Sequence, residues 1–244
     1  MASFRSGQSG RRTVAKALGR GRTPRRRWLR AAAVALLLLV VVFPVMLTLL
    51  FSVIAPPVTP LMVIRLFEGD GLEKRWRSLE RISPHAAQAV IAAEDNLFCR
   101  HAGFDLSAIR QVLDEYGTSK RLRGASTISM QVAKNVFLWP ARSPVRKALE
   151  AYLTLLIEAL WSKHRIMEVY LNVAEWGRGI YGIEAAAQHH FGKSAISLTR
   201  GDASLLAVIL PNPRQWSPQS TFVQRRARII RGRMGQIEPL FDCL

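Results

Sequence analysis

Residues 145–162, VRKALEAYLTLLIEALWS, place apolar side chains at three- and four-residue spacing, the period of one face of an α-helix. Ser143 and Pro144 stand just ahead, a capping residue and a first-turn proline that open such a helix. The pattern recurs in both directions. Upstream, STISMQVAKNVFL is stopped by Pro140, a second helical stretch covers 105–116, and HAAQAVIAAEDNLF follows Ser83 and Pro84. Downstream, 163–172, the alanine-rich run after GRGIYGIE, ASLLAVILPNP and the basic amphipathic run 221–235 all read as helix. Few runs alternate with period two, so the chain beyond residue 83 is expected to be mainly α.

Further out lies the charge. The 244 residues carry 35 Lys and Arg against 17 Asp and Glu, a net charge of +18, yet 49% of them are hydrophobic, which excludes a disordered basic tail. Ten of the cations fall within residues 1–30, where there is no acid, so the remainder is only +8. Residues 31–55, AAAVALLLLVVVFPVMLTLLFSVIA, then hold no charged side chain. A helix of that length runs roughly 37 Å, against a hydrocarbon core of about 30 Å. It is longer than a signal-peptide core, and Pro56 and Pro57 follow its best cleavage candidate, so an uncleaved anchor kinked at Pro44 is expected. The arginine-rich arm keeps its side cytoplasmic and places residues 56–244 outside. The expected organisation is a basic arm 1–30, an anchor 31–55, a membrane-proximal linker or short strand 56–82, a main domain 83–220, and a basic helix and tail 221–244. Cys99 and Cys243 are compatible with one bridge in an oxidising exterior or with two free thiols.

Three segments carry candidate chemistry. EDNLFCRHAGFD, 94–105, puts Glu94, Asp95, His101 and Asp105 at a helix end and in the loop beyond it, where burial can raise a carboxyl pKa toward general-base use. Taken alone, such a pair is usually solvated and such a histidine structural. RGASTISMQVAKN, 123–135, gathers Ser126, Thr127, Ser129, Gln131, Lys134 and Asn135 at a helix start, an anion-binding position or a plain N-cap. RSPVRKALE sets Arg142, Arg146 and Lys147 beside Glu150, which reads either as a surface ion pair or as a cluster able to hold a diphosphate. His189 and His190 are adjacent and expected to point apart on a helix. No zinc-type spacing is present.

Read together and in order, these segments resemble the family 51 peptidoglycan glycosyltransferases, closest to the monofunctional biosynthetic branch. The form EDxxFxxHxGxD is matched by Glu94, Asp95, Phe98, His101, Gly103 and Asp105; GxSTxxQQxxKN by Gly124, Ser126, Thr127, Gln131, Lys134 and Asn135, with Met130 where glutamine is frequent; RKxxE and a later acid by Arg146, Lys147, Glu150 and Glu158. The resemblance spans about residues 80–218. It implies a lysozyme-like, mainly α bilobed domain behind a single transmembrane helix, seated periplasmically on the inner membrane. Its substrate would be lipid II, a disaccharide-pentapeptide on undecaprenyl diphosphate.

On that resemblance, Glu94 takes the proton from the acceptor GlcNAc 4-hydroxyl as it attacks C1 of the lipid-linked glycan, forming a β-1,4 bond with inversion. Lys134, Arg142, Arg146 and Lys147 stabilise the departing diphosphate, and Glu150 orients them or holds a divalent cation, Mg or Mn. Ser126, Gln131 and Asn135 contact substrate; Asp95, Phe98, His101 and Gly103 support the first motif. No organic cofactor is implied. Membrane lipids, cross-linking transpeptidases and division or elongation proteins are implied partners, and nucleic acid is not. Neither SxxK nor KTG occurs, so no transpeptidase activity is expected. A lytic transglycosylase or lysozyme-like hydrolase and a membrane-anchored non-catalytic binding protein are the alternatives.

Overall fold

The computed structural model describes residues 24–114, 126–141, 143–237 and 241–244. Residues 1–23 of the basic arm, Gly124 of the second segment, and Arg142 therefore lie outside the described residues. Residues 1–43 and 44–244 form two units. In the first, α1 (Pro24–Leu37) runs into a π-helical turn, Leu38–Val42, whose side chains are all exposed. The run Arg27–Val53 is long and apolar enough to cross a membrane, with mean hydropathy 3.0 and 6% of its most apolar window buried. That exposure is the opposite of a soluble protein's core helix. Pro44 has no N–H to give back to the preceding turn, and the π-helical turn stands immediately ahead of it.

The second unit begins with the rest of this helix, α2 (Phe43–Val53). Its end is held by side chains from further along the chain. The Trp161 indole donates to the Thr48 carbonyl at 2.8 Å, and the Arg165 guanidinium donates to Phe51 at 3.1 and 2.9 Å and to Ile54 at 2.8 Å. The Phe51 and Ile54 carbonyls lie at the end of the helix, beyond the reach of its own N–H groups, so Arg165 satisfies acceptors that would otherwise need water.

Residues 56–82, expected as a linker or short strand, hold both a helix and a short strand. Thr59 caps α3 (Pro60–Phe67), whose Met62 is fully buried and which packs on α6 (Ile128–Phe137). After it, β1 (Glu73–Lys74) pairs in parallel with β3 (Ile180–Tyr181), which pairs antiparallel with β2 (Glu175–Gly177). An eight-residue helix is too short to display a clear apolar period, which is why the segment reads as irregular.

The core is built on α4 (Pro84–Glu94), where Ala86, Ala87, Ala89, Val90, Ile91 and Ala92 are buried. Its small side chains let α10 (Arg200–Ile209) and α11 (Thr221–Ile237) pack closely, and the three helices form one group. Thus α11 is an integral wall of the domain rather than an appendage, burying Val223, Ala227, Ile230, Met234 and Ile237. A second group joins α6 to α7 (Pro144–Leu160) and α8 (Lys163–Val173). The helices α5 (Leu106–Asp114) and α9 (Ile183–Phe191) complete the unit. Of the two states open to the cysteines, the bridge is the one present: Cys99 and Cys243 are disulfide-bonded, with Arg100 and Asp242 3.4 Å apart beside them. Phe241 and Leu244 pack against the core, so the end of the chain is drawn onto the loop that follows α4.

Candidate active site

Asp95 ends α4 and ties the first two motifs together. Its carboxylate accepts from His101 Nε2 at 2.9 Å and from the Ile128 backbone N–H at 2.9 Å, the latter in the first turn of α6. Gly103 N–H donates to His101 Nδ1 at 3.2 Å, which leaves the ring proton on Nε2 for Asp95. Thr127, not Ser126, is the N-cap of α6: its Oγ1 accepts from Met130 N–H at 3.2 Å and donates to the Gly103 carbonyl at 2.6 Å. Gly103 sits at φ 90°, and a Cβ there would lie 2.8 Å from the Thr154 methyl on α7, so the loop can pass only as glycine. Phe98 is fully buried, with the Lys163 ammonium 4.6 Å from its ring centre. Lys163 also donates to the His101 carbonyl and to Glu158, both at 2.7 Å, and Ser129 donates to Glu158 as well. The expected supporting residues thus form one connected frame.

That frame fixes Glu94 at the wall of a cavity of about 450 Å³ lined also by Ser126, Gln131, Arg226 and Arg233. The Gln131 amide donates to Glu94 Oε2 at 2.9 Å, and its carbonyl accepts from the Tyr170 hydroxyl at 3.1 Å. Tyr170 is fully buried, so it holds the amide with N–H toward the carboxylate. Burial pushes the Glu94 carboxyl above its ordinary pKa; Gln131, Lys134 and Arg226 oppose the rise and Asp95 adds to it. This is the state of a carboxylate poised to take a proton.

One turn along α6, Lys134 and Asn135 line a second cavity, about 530 Å³, with Arg65, Trp139, Arg146 and Glu175. Burial lowers the pKa of Lys134; Glu150 raises it, and the nearby Arg146 and Lys147 lower it further. Glu150 is buried at 2% exposure and accepts from Arg146 Nη1 at 2.6 Å and from Lys147 Nζ. The surface-ion-pair reading is therefore excluded. Lys147 also reaches Ser126 Oγ at 3.4 Å, linking the cations to the Glu94 cavity. Arg146 Nε is buried without a hydrogen-bond partner among the described residues. Arg65 and Glu175 were not expected here. Burial raises the Glu175 carboxyl, against the pull of Arg65 and Arg214.

A divalent ion fits Glu150 poorly. Both carboxylate oxygens face cations, and among the described residues no group of three His, Cys, Asp or Glu side chains could hold a metal. The His189 and His190 rings do not diverge as expected; they meet edge to face with centroids 4.8 Å apart, and His190 also lies 3.3 Å from the Trp176 carbonyl. Arg226 and Arg233 were missed because the basic amphipathic run 221–235 lies outside the three motif segments. The spacing of Val223, Ala227, Ile230 and Met234 defines its buried face and could have placed both arginines at its edge.

A family model described as Transglycosylase matches residues 62–235. The chain belongs to the transglycosylase family. A Caulobacter vibrioides protein named biosynthetic peptidoglycan transglycosylase is 50% identical over 223 residues, 90% of this chain and 97% of that protein. Proteins of the same name from Rhodospirillum centenum, 54% identical over 74% of this chain and 80% of theirs, and from Shewanella oneidensis, 55% over 67% and 71%, are also similar. The transglycosylase match takes in most of α3 and nearly all of α11, in line with their burial in the domain. The lysozyme-like, mainly α architecture expected from the sequence is that of the transglycosylase domain.

Proposed function

We propose that the protein is a peptidoglycan glycosyltransferase that polymerises lipid II, anchored by Arg27–Val53 with the basic arm cytoplasmic and the catalytic domain periplasmic. The observation that carries this reading is the pairing of a half-buried Glu94, its carboxyl pKa raised, with a cationic cavity one helical turn away. Glu94 takes the proton of the acceptor 4-hydroxyl, the oxygen bonds to C1 of the lipid-linked glycan, and the C1–O bond to diphosphate breaks. The charge appearing on the diphosphate is met by Lys134, Arg146 and Lys147, each worth about 2–4 kcal/mol to the transition state where water is excluded. Arg142 is proposed to join them. Attack from the face opposite the leaving group gives inversion. Of the two roles expected for Glu150, orienting Arg146 and Lys147 is the one its hydrogen bonds favour.

The hydrolase reading is disfavoured by the same cluster, since cleaving a neutral glycan develops no diphosphate charge for the cations to meet. The test is purified full-length protein offered labelled lipid II and, separately, preformed glycan. Consumption of lipid II into polymer, lost in Glu94→Gln with unchanged thermal unfolding, supports the proposal. Consumption of glycan alone overturns it.

A further inference from the structure

The helix α11, TFVQRRARIIRGRMGQI, carries five arginines and no acid. At 100° per residue they fall on both sides of its buried seam and on the face opposite it. Arg226 and Arg233 take the shoulder that lines the Glu94 cavity. Arg231 and Arg228 lie on the other side and, with Arg225 on the outward face, line a separate groove of about 690 Å³ between α10 and α11, with Thr221 and Gln224 adding polar side chains. All three arginines are exposed, and none pairs with a carboxylate among the described residues. Three like charges on successive turns repel one another and lower helix stability, so an anionic occupant would relieve a standing cost.

We propose that this groove binds the carboxylates of the pentapeptide stem carried by the glycan in the Glu94 cavity. The assignment rests on the proposed polymerase reading, which supplies a substrate bearing that peptide. Geometry permits it. On α10 the groove is lined by Ser204 and Leu205 and the Glu94 cavity by Ala207 and Val208, about one turn apart. An extended pentapeptide spans about 16 Å, more than the 10–12 Å diameter of a helix, so a stem leaving the sugar can cross α11. Charge complementarity favours a carboxylate ligand, and guanidinium groups bind carboxylates through paired hydrogen bonds. A phospholipid headgroup would also be anionic. The anchor, however, is held by Phe137, Trp161 and Arg165, on the α6–α8 group, whereas α11 packs on α4 and α10.

The test titrates full-length protein in neutral detergent with three soluble probes: the free stem pentapeptide, its carboxyl-amidated analogue, and glycerophosphoglycerol as a lipid headgroup. The expected result is salt-sensitive binding of the free peptide, and about tenfold weaker binding after amidation or in an Arg225→Gln, Arg228→Gln, Arg231→Gln triple variant. The corresponding triple lysine variant keeps most of the affinity and excludes a folding defect. Equal binding of free and amidated peptide, an unaffected glutamine variant, or a triple variant that loses only the headgroup probe would each overturn the proposal. Because peptide binding is read without turnover, wild-type protein that binds the peptide yet makes no polymer supports the groove while refuting the polymerase.

Discussion

Replacing Tyr170 by phenylalanine removes one oxygen atom from the core and tests how Glu94 is tuned. The hydroxyl donates to Gln131 Oε1 at 3.1 Å, and Gln131 in turn donates to Glu94 Oε2 at 2.9 Å. A hydrogen bond to an ionised group is worth about 1.5–3 kcal/mol, and 1.36 kcal/mol corresponds to one pKa unit. Losing the Gln131 bond entirely, as in Gln131→Leu, removes about 1.5–3 kcal/mol that favours the carboxylate and so raises the Glu94 pKa further. Tyr170→Phe only frees the amide to turn, so about half of that is expected. The sign follows from the chemistry. Glu94 acts as the carboxylate, a raised pKa keeps it protonated over more of the acid range, and the acid limb of kcat/KM moves to higher pH while the plateau is unchanged. The stability cost is about 1 kcal/mol for the abandoned amide oxygen, or about 2–4 °C in a domain of this size. The assay is the pH dependence of lipid II polymerisation alongside thermal unfolding. If Gln131→Leu moves the limb and Tyr170→Phe does not, the tyrosine does not set the amide. If neither moves it, Glu94 is not the titrating base.

Arg226→Gln removes an exposed cation that favours the Glu94 carboxylate, so its acid limb also shifts upward, by less, and the shift shrinks as salt is raised; a downward shift would contradict the placement of Arg226. Glu150→Gln leaves Arg146 without its anionic partner and is expected to cost about 3–5 kcal/mol in denaturant unfolding. The same change removes the charge that raises Lys134, so the alkaline limb of activity moves to lower pH. Joint Cys99→Ser and Cys243→Ser substitution is expected to lower stability by about 2–4 kcal/mol, read by thermal melts with and without reductant; wild-type protein insensitive to reductant would show the tether to be dispensable.

The helices were legible because their apolar spacing is long and regular, as in α7, and because Ser143, Thr127 and the prolines punctuate them. The grouping of Glu94 with Lys134, Arg146 and Glu150 was legible through the order of the motifs: Glu94 lines one cavity, Lys134 and Arg146 line the other, and Glu150 lies buried against Arg146. What escaped the sequence depends on contacts between distant segments. Arg226 comes 132 positions after Glu94, and no local pattern signals which shoulder of α11 faces it. Arg65 and Met62 belong to a helix too short to show its period. The choice between a bridge and two thiols required knowing that the chain returns from α11 to the loop after α4.

The donors from Trp161 and Arg165 to the end of α2 have a mechanical meaning on the proposed topology. Flexibly tethered enzymes sample a hemisphere around their anchor, and their reach is set by linker length. Here residues 44–54 are bolted to the α7–α8 junction by four hydrogen bonds, and the residues that follow are folded into the domain. Residues 44–54 therefore travel with the domain as part of its body rather than acting as a free tether.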